Sequence, residues 1–139
     1  MHNNLQNAKA YLRTHSCTCV LCRGEELYSS TQRGVRPLLD FLDSGKNFTG
    51  FCAADKVVGK ATAHLYCLLG VEEVYAQVLS TAAMQVLTKQ GIRVSWGTLV
   101  EEIRNRDNTG PCPMEHATKH SRCHSDALAI IRDTLKAMQ

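Results

Sequence analysis

The stretch from Glu73 to Trp96 limits the possible folds more than any other part of the chain. Glu73–Leu79 alternates, with Val74, Ala76 and Val78 on one side, as a half-buried strand does. Ser80 then stands where an N-cap would, before a helix carrying Ala82, Ala83, Val86 and Leu87 that Gly91 closes. Ile92–Trp96 reads as strand again. A strand, one helix and a strand in so few residues imply a parallel pair joined by a crossover, with the helix lying on the sheet.

The remaining segments fit around that unit. Leu5, Ala8 and Leu12 recur at helical spacing. Cys17–Arg23 and Glu26–Ser30, separated at Gly24-Glu25, read as a β-hairpin. Val35, Leu38, Leu39 and Leu42 form one helical face, with Pro37 tolerated in the first turn. After Phe48–Phe51 comes the longest helical pattern, striped by Val57, Val58, Ala61, Leu65, Leu68 and Leu69 and stopped by Gly70; its start is placed at Cys52–Asp55. Thr98 with Glu101 reads as a capping box opening a short helix, 104–113 is turn-rich, and Ala127, Leu128, Ile131, Leu135 and Met138 mark a closing helix. The expected class is α/β: a single domain over residues 1–139, built as a three-layer α/β/α sandwich whose mixed sheet carries an N-terminal β-hairpin.

Composition narrows the function classes. A net charge of +3, from 16 basic and 13 acidic residues scattered along the chain, is too weak and dispersed for a nucleic-acid footprint. No apolar run reaches bilayer length, and the polar opening Met1-His2-Asn3-Asn4 does not read as a signal peptide, so a cytoplasmic location is expected. Seven cysteines in such a chain are expected as reduced thiols, metal ligands or core residues and not as disulfides.

The densest chemistry lies in Cys52-Ala53-Ala54-Asp55-Lys56-Val57-Val58-Gly59-Lys60. With a helix starting there, Cys52 and Asp55 meet unpaired N–H groups and the positive end of the dipole, which draws a thiol towards thiolate. Lys56 and Lys60, four apart, then share one face and can reach one ligand. The plainer alternative has Asp55 as a cap, the lysines solvated and Cys52 in the core.

The run Phe51–Ala61, together with Arg104-Asn105-Arg106-Asp107-Asn108-Thr109-Gly110-Pro111-Cys112-Pro113-Met114-Glu115, resembles the signature of the family called domain of unknown function 1893. Val71–Ala76 and Thr98–Val100 match between them in order and spacing. The resemblance spans nearly the whole chain and implies a cytidine-deaminase-like fold. Zinc deaminases place His or Cys, any residue, then Glu at one helix start and Pro-Cys-x-x-Cys at the next. Here Cys52 takes the first position, but the acid is Asp55, three residues on, turned about 100° further round a helix. Leu79-Ser80-Thr81-Ala82-Ala83 holds no cysteine. No catalytic zinc and no other cofactor is expected.

In a deaminase-like sheet the two helix starts face one crevice. Cys52, Asp55 and Lys56 are expected on one side, Ser80 and Thr81 opposite, and the loop bearing Asn105, Arg106, Asp107, Cys112 and Glu115 folded over them, the whole suited to an anionic small molecule. The expected function is binding of a nucleotide-like or otherwise phosphorylated molecule in a zinc-free crevice, with Cys52 as nucleophile and Asp55 or Asp107 as its acid–base partner. Alternatives are a non-catalytic ligand sensor, or a metal-binding protein using Cys112, His116, His120, Cys123 and His124 if Pro113 opens a helix. Cys17, Cys19 and Cys22 are expected in the core, the first two on one strand face and the third on the other.

Overall fold

A computed structural model describes residues 3–105 and 107–138. Eleven elements follow in the order α1 (Asn4–Thr14), β1 (Cys19–Arg23), β2 (Glu26–Ser30), α2 (Arg36–Asp43), β3 (Cys52–Val58), α3 (Lys60–Leu69), β4 (Glu73–Ser80), α4 (Thr81–Lys89), β5 (Arg93–Val100), α5 (Pro113–Ala117) and α6 (His124–Ala137). The five strands form one mixed sheet in the order β2-β1-β3-β4-β5. β1 runs antiparallel to both β2 and β3, whereas β3, β4 and β5 are parallel, so the crossover expected between Glu73 and Trp96 is present.

Helices cover both faces. α1 lies alone on one side against β1, β3 and β4, where Ala8 and Leu12 meet Val20, Cys22 and Ala54. α2, α3 and α4 pack on the other, with α5 and α6 against the outside of α3. α3 is thus enclosed on all sides, and eight of its ten residues are buried. A helix so placed must be apolar around its whole circumference, which is why its sequence pattern is broad. Phe48 packs edge-on against Tyr28, Phe41 and Phe51, with ring centroids 5.2–5.5 Å apart, and ties the hairpin to α2. Gly70 ends α3 at φ 77°, a left-handed turn that side chains disfavour.

Three expectations are corrected. Cys52–Val58 is a strand and not the start of a helix: Cys52 pairs with Cys22 on one side and Glu73 on the other. α3 begins only after Gly59, which is extended at φ −100°, ψ −175°. Lys56 and Lys60 therefore lie on different elements and share no helix face. Thr98 likewise opens no helix, because β5 continues through it to Val100 in register with Val78–Ser80. The hairpin cysteines also divide differently, since Cys17 precedes the strand and escapes its alternation. It packs with Cys22 under α1, and Cys19 faces the opposite layer.

Candidate functional site

The carboxyl end of β3 delivers Asp55, Lys56 and Val57 to a cavity of about 420 Å³. The connection from β2 to α2 (Arg33, Gly34, Val35) forms one wall, the first turn of α3 (Gly59, Ala61, Thr62) the floor, and Ile103, Arg104, Cys112, Met114 and Glu115 the cover. A site outside the carboxyl ends of parallel strands is where open α/β sheets collect ligands, because loops and helix starts converge there.

Asp55 is the central group. It is only 8% exposed, and it points into the layer of α3 rather than towards solvent. Its Oδ2 accepts the Tyr66 hydroxyl at 2.6 Å and its Oδ1 accepts the Val57 N–H at 3.3 Å. The Tyr66 oxygen in turn lies 3.2 Å from the Cys19 sulfur. Burial pushes the Asp55 carboxyl up to about 7, against the opposing pull of hydrogen bonds from Tyr66, Val57, Lys56 and Cys19. Burial also drives the Tyr66 phenol and the Cys19 thiol well above their usual values, aided by the charge of Asp55. Near neutral pH the three groups therefore hold a neutral thiol, a neutral phenol and a carboxyl divided between its acid and its anion.

A second carboxyl closes the cavity. Glu115 accepts the Lys60 N–H at the start of α3, satisfying one of the donors that every helix start leaves open. Burial raises its pKa, and the Lys60 N–H and ammonium act against this. Gly59 permits the approach: a Cβ there would overlap the Glu115 Oε1 and lie 2.7 Å from its Cδ. Alanine suits the Gly59 backbone, so its cost reports displacement of Glu115. Gly59→Ala and Glu115→Ala are each expected to lose about 1 kcal/mol, and the double variant little more than either. Urea melts of the four proteins give the comparison; additive losses would mean that the two residues act separately.

Two cations overlook the cavity. Arg33 and Lys56 are exposed lining residues without a carboxylate partner among the described residues. Arg104, by contrast, is committed within its own loop, to Glu102 at 2.6 Å and to the side chain and carbonyl of Asn108 at 2.9 and 3.2 Å.

The expected site residues come together only in part. Asp55, Lys56, Cys112 and Glu115 come together as lining residues. Ser80 and Thr81 do not: Ser80 is buried and caps α4 through the Ala83 N–H at 3.1 Å, and Thr81 reaches the Glu101 carbonyl. Lys60 lies beside the cavity with its Nζ on the Lys119 carbonyl at 2.8 Å, and Asn105 is paired with Thr109 within the loop. Asp107 is exposed away from the lining, and Arg106 lies outside the described residues. Cys52 sits at the far end of β3, six residues from Val58 and so about 20 Å away along the strand. It is 4% exposed, and burial, then Glu73 and Glu72, push its thiol up to about 11. The basis for a nucleophilic thiolate is thereby removed, since a strand start offers neither a helix dipole nor an open N–H set. A thiol reagent is expected to modify exposed Cys123 first and Cys112 next, leaving Cys17, Cys19, Cys22, Cys52 and Cys67 unreacted until the protein unfolds. Mass spectrometry over time reads the order.

The donors at the two helix starts do not fit a deaminase zinc. Gly59, Lys60 and Ala61 open α3, and Thr81, Ala82 and Ala83 open α4, with neither thiol nor imidazole among them. Nor are Cys112, His116, His120, Cys123 and His124 gathered into one set; among the described residues no three metal-ligating groups meet. α5 ends at Ala117, so His120 lies beyond it.

Arg33, Thr62, Tyr66 and Cys19 were not foreseen as site residues. Thr62 and Tyr66 had a signal, being polar groups one turn apart inside an otherwise apolar helix.

Comparison with known proteins agrees with this architecture. The sequence profile of the family described as Domain of unknown function (DUF1893) matches residues 7–135. No curated protein matches the sequence. Among solved structures, a DUF1893 family protein from Thermotoga maritima superposes with a TM-score of 0.85 at 20% identity, over 96% of this chain and 91% of that one. A dCMP deaminase from the cyanophage S-TIM5 in apo form gives 0.45 at 13% identity, over 70% of this chain and 94% of that one. The same enzyme in complex with dCMP and dUMP gives 0.46 at 10% identity, over 66% and 92%.

Proposed function

The chain belongs to the DUF1893 family, and from that premise we propose that it binds a nucleotide-like or otherwise phosphorylated small molecule in the cavity at the end of β3, with Asp55 exchanging a proton with the bound molecule. One observation carries this reading: a buried carboxyl poised near pH 7 lines a cavity overlooked by two unpaired cations. A general acid or base works best with a pKa near the working pH, since it is then both present in the right form and strong enough to act. Arg33 and Lys56 supply the charge for a phosphate group, and the apolar lining from Val35, Val57, Ile103 and Met114 suits the remainder of such a ligand.

The reading places acid–base work on a carboxyl and leaves Cys52 to the core. No helix among the described residues is long and apolar enough to cross a membrane. The test is a thermal-shift screen at pH 7 against nucleotides and sugar phosphates, followed by calorimetry of any hit in two buffers of different ionisation enthalpy. The expected result is a ligand whose binding takes up or releases a proton in the wild type and not in D55N, and which binds at least about tenfold more weakly in Arg33→Ala/Lys56→Ala. A ligand bound equally by all three proteins, without proton exchange, would place binding elsewhere.

A further inference from the structure

A second cavity, of about 610 Å³, opens between the start of α3, the outer side of α4 and the connection from α5 to α6. Lys60, Lys89 and Arg122 line it, and no carboxylate does. Lys89 and Arg122 are exposed and have no carboxylate partner among the described residues. Lys60 spends its ammonium on the Lys119 carbonyl, so its charge is solvated by a dipole and not cancelled. Asp126, on the first turn of α6, lies outside the lining. Three positive charges in a lining that holds no carboxylate oppose a metal cation and favour an anion.

The back of the cavity holds two polar side chains with unfilled hydrogen-bonding capacity. His64 is 2% exposed, and its Nδ1 lies 2.8 Å from the Nδ1 of His124. The His124 Nε2 lies 2.7 Å from the Gln90 Oε1, so it is the donor there. In a neutral ring its Nδ1 must then accept, and His64 Nδ1 must donate to it. That chain of protons leaves the His64 Nε2 as a bare acceptor, buried and without a partner. Ser121 is 8% exposed, and its hydroxyl is also buried and unpartnered. Unmet hydrogen bonds of this kind are costly, and each calls for a group that fills it.

We propose that this cavity binds a phosphate group, as inorganic phosphate or a phosphate monoester, at a site separate from the cavity that holds Asp55. Lys89, Arg122 and the Ser121 hydroxyl donate to its oxyanions. The His64 Nε2 accepts from the remaining O–H of the phosphate or from a neighbouring hydroxyl of the ester. α6, fourteen residues long and without a side-chain cap, adds free N–H groups at its start beside the same cavity. The site stands independently of the proposed function, because the two cavities have no lining residue in common.

The test is titration of inorganic phosphate into ¹⁵N-labelled protein at pH 7 and fixed ionic strength. Saturable shifts are expected at the Ser121 and Cys123 amides and the His64 ring. Lys89→Ala/Arg122→Ala is expected to weaken binding at these reporters about tenfold or more, and Arg33→Ala/Lys56→Ala to leave it unchanged. All four residues are exposed, so the variants keep the core, and unchanged melting temperatures confirm it. Absence of saturation, equal loss in both pairs, or loss only in Arg33→Ala/Lys56→Ala would overturn the proposal. The last outcome would assign the phosphate to the first cavity.

Discussion

Replacing Asp55 by asparagine is expected to remove the largest pH dependence in the protein's stability. The carboxyl moves from 3.8 in the unfolded chain to about 7 in the folded one. Between those values the folded state keeps a proton that the unfolded state has released, so unfolding loses a proton and stability falls as pH rises. The contribution is fully present below about pH 4 and is lost as pH passes through about 7. Three pKa units correspond to about 4 kcal/mol. Denaturation curves from pH 4 to 8 should therefore show the wild type losing about that much relative to D55N. Parallel curves would mean that Asp55 is ionised throughout.

Tyr66→Phe is expected to give the next largest effect, with a pH signature of its own. The phenol donates to Asp55 at 2.6 Å and holds the carboxyl pKa down, so its loss moves the Asp55 titration further up. At pH 8 the ionised carboxylate loses its best donor and the variant should lose about 2 kcal/mol. At pH 5 the acid is neutral, and a loss of about 1 kcal/mol is expected from an ordinary hydrogen bond. Urea melts at the two pH values give the comparison. An equal loss at both would show that the strength of this hydrogen bond does not follow the charge of Asp55.

These two residues illustrate what was legible in the sequence and what was not. Apart from β3 and the end of β5 the element order was readable, because the β4–α4–β5 crossover and the α1 and α6 stripes have clear periods and sharp ends at Ser80 and Gly91. Asp55 was singled out, but on the wrong element. Phe51–Val58 is apolar on both faces, as strands beneath two helix layers are, and over so few residues that composition also suits a buried helix. A helix starting at Cys52 would hold Gly59 in its interior. It is the residue before the helix, and its missing Cβ admits Glu115 from 56 positions later. Thr98–Glu101 carried the spacing of a capping box, yet pairing with Val78–Ser80 outweighed it, since local capping is worth less than a row of sheet bonds. Cys19 was taken as core, which it is, and Tyr66 is buried with it. Their role beside Asp55 depends on β1 and α3 meeting across the sheet, and no local pattern reports that meeting.

The central claim is that Asp55 exchanges its proton near neutrality inside the cavity. ¹³C NMR of the Asp55 carboxyl in aspartate-labelled protein, titrated from pH 4 to 9 and assigned with D55N, measures this directly. The account predicts a midpoint near 7, with the resonance still that of the neutral acid at pH 5. A carboxyl already ionised at pH 5, with its midpoint in the usual range near 4, would contradict it.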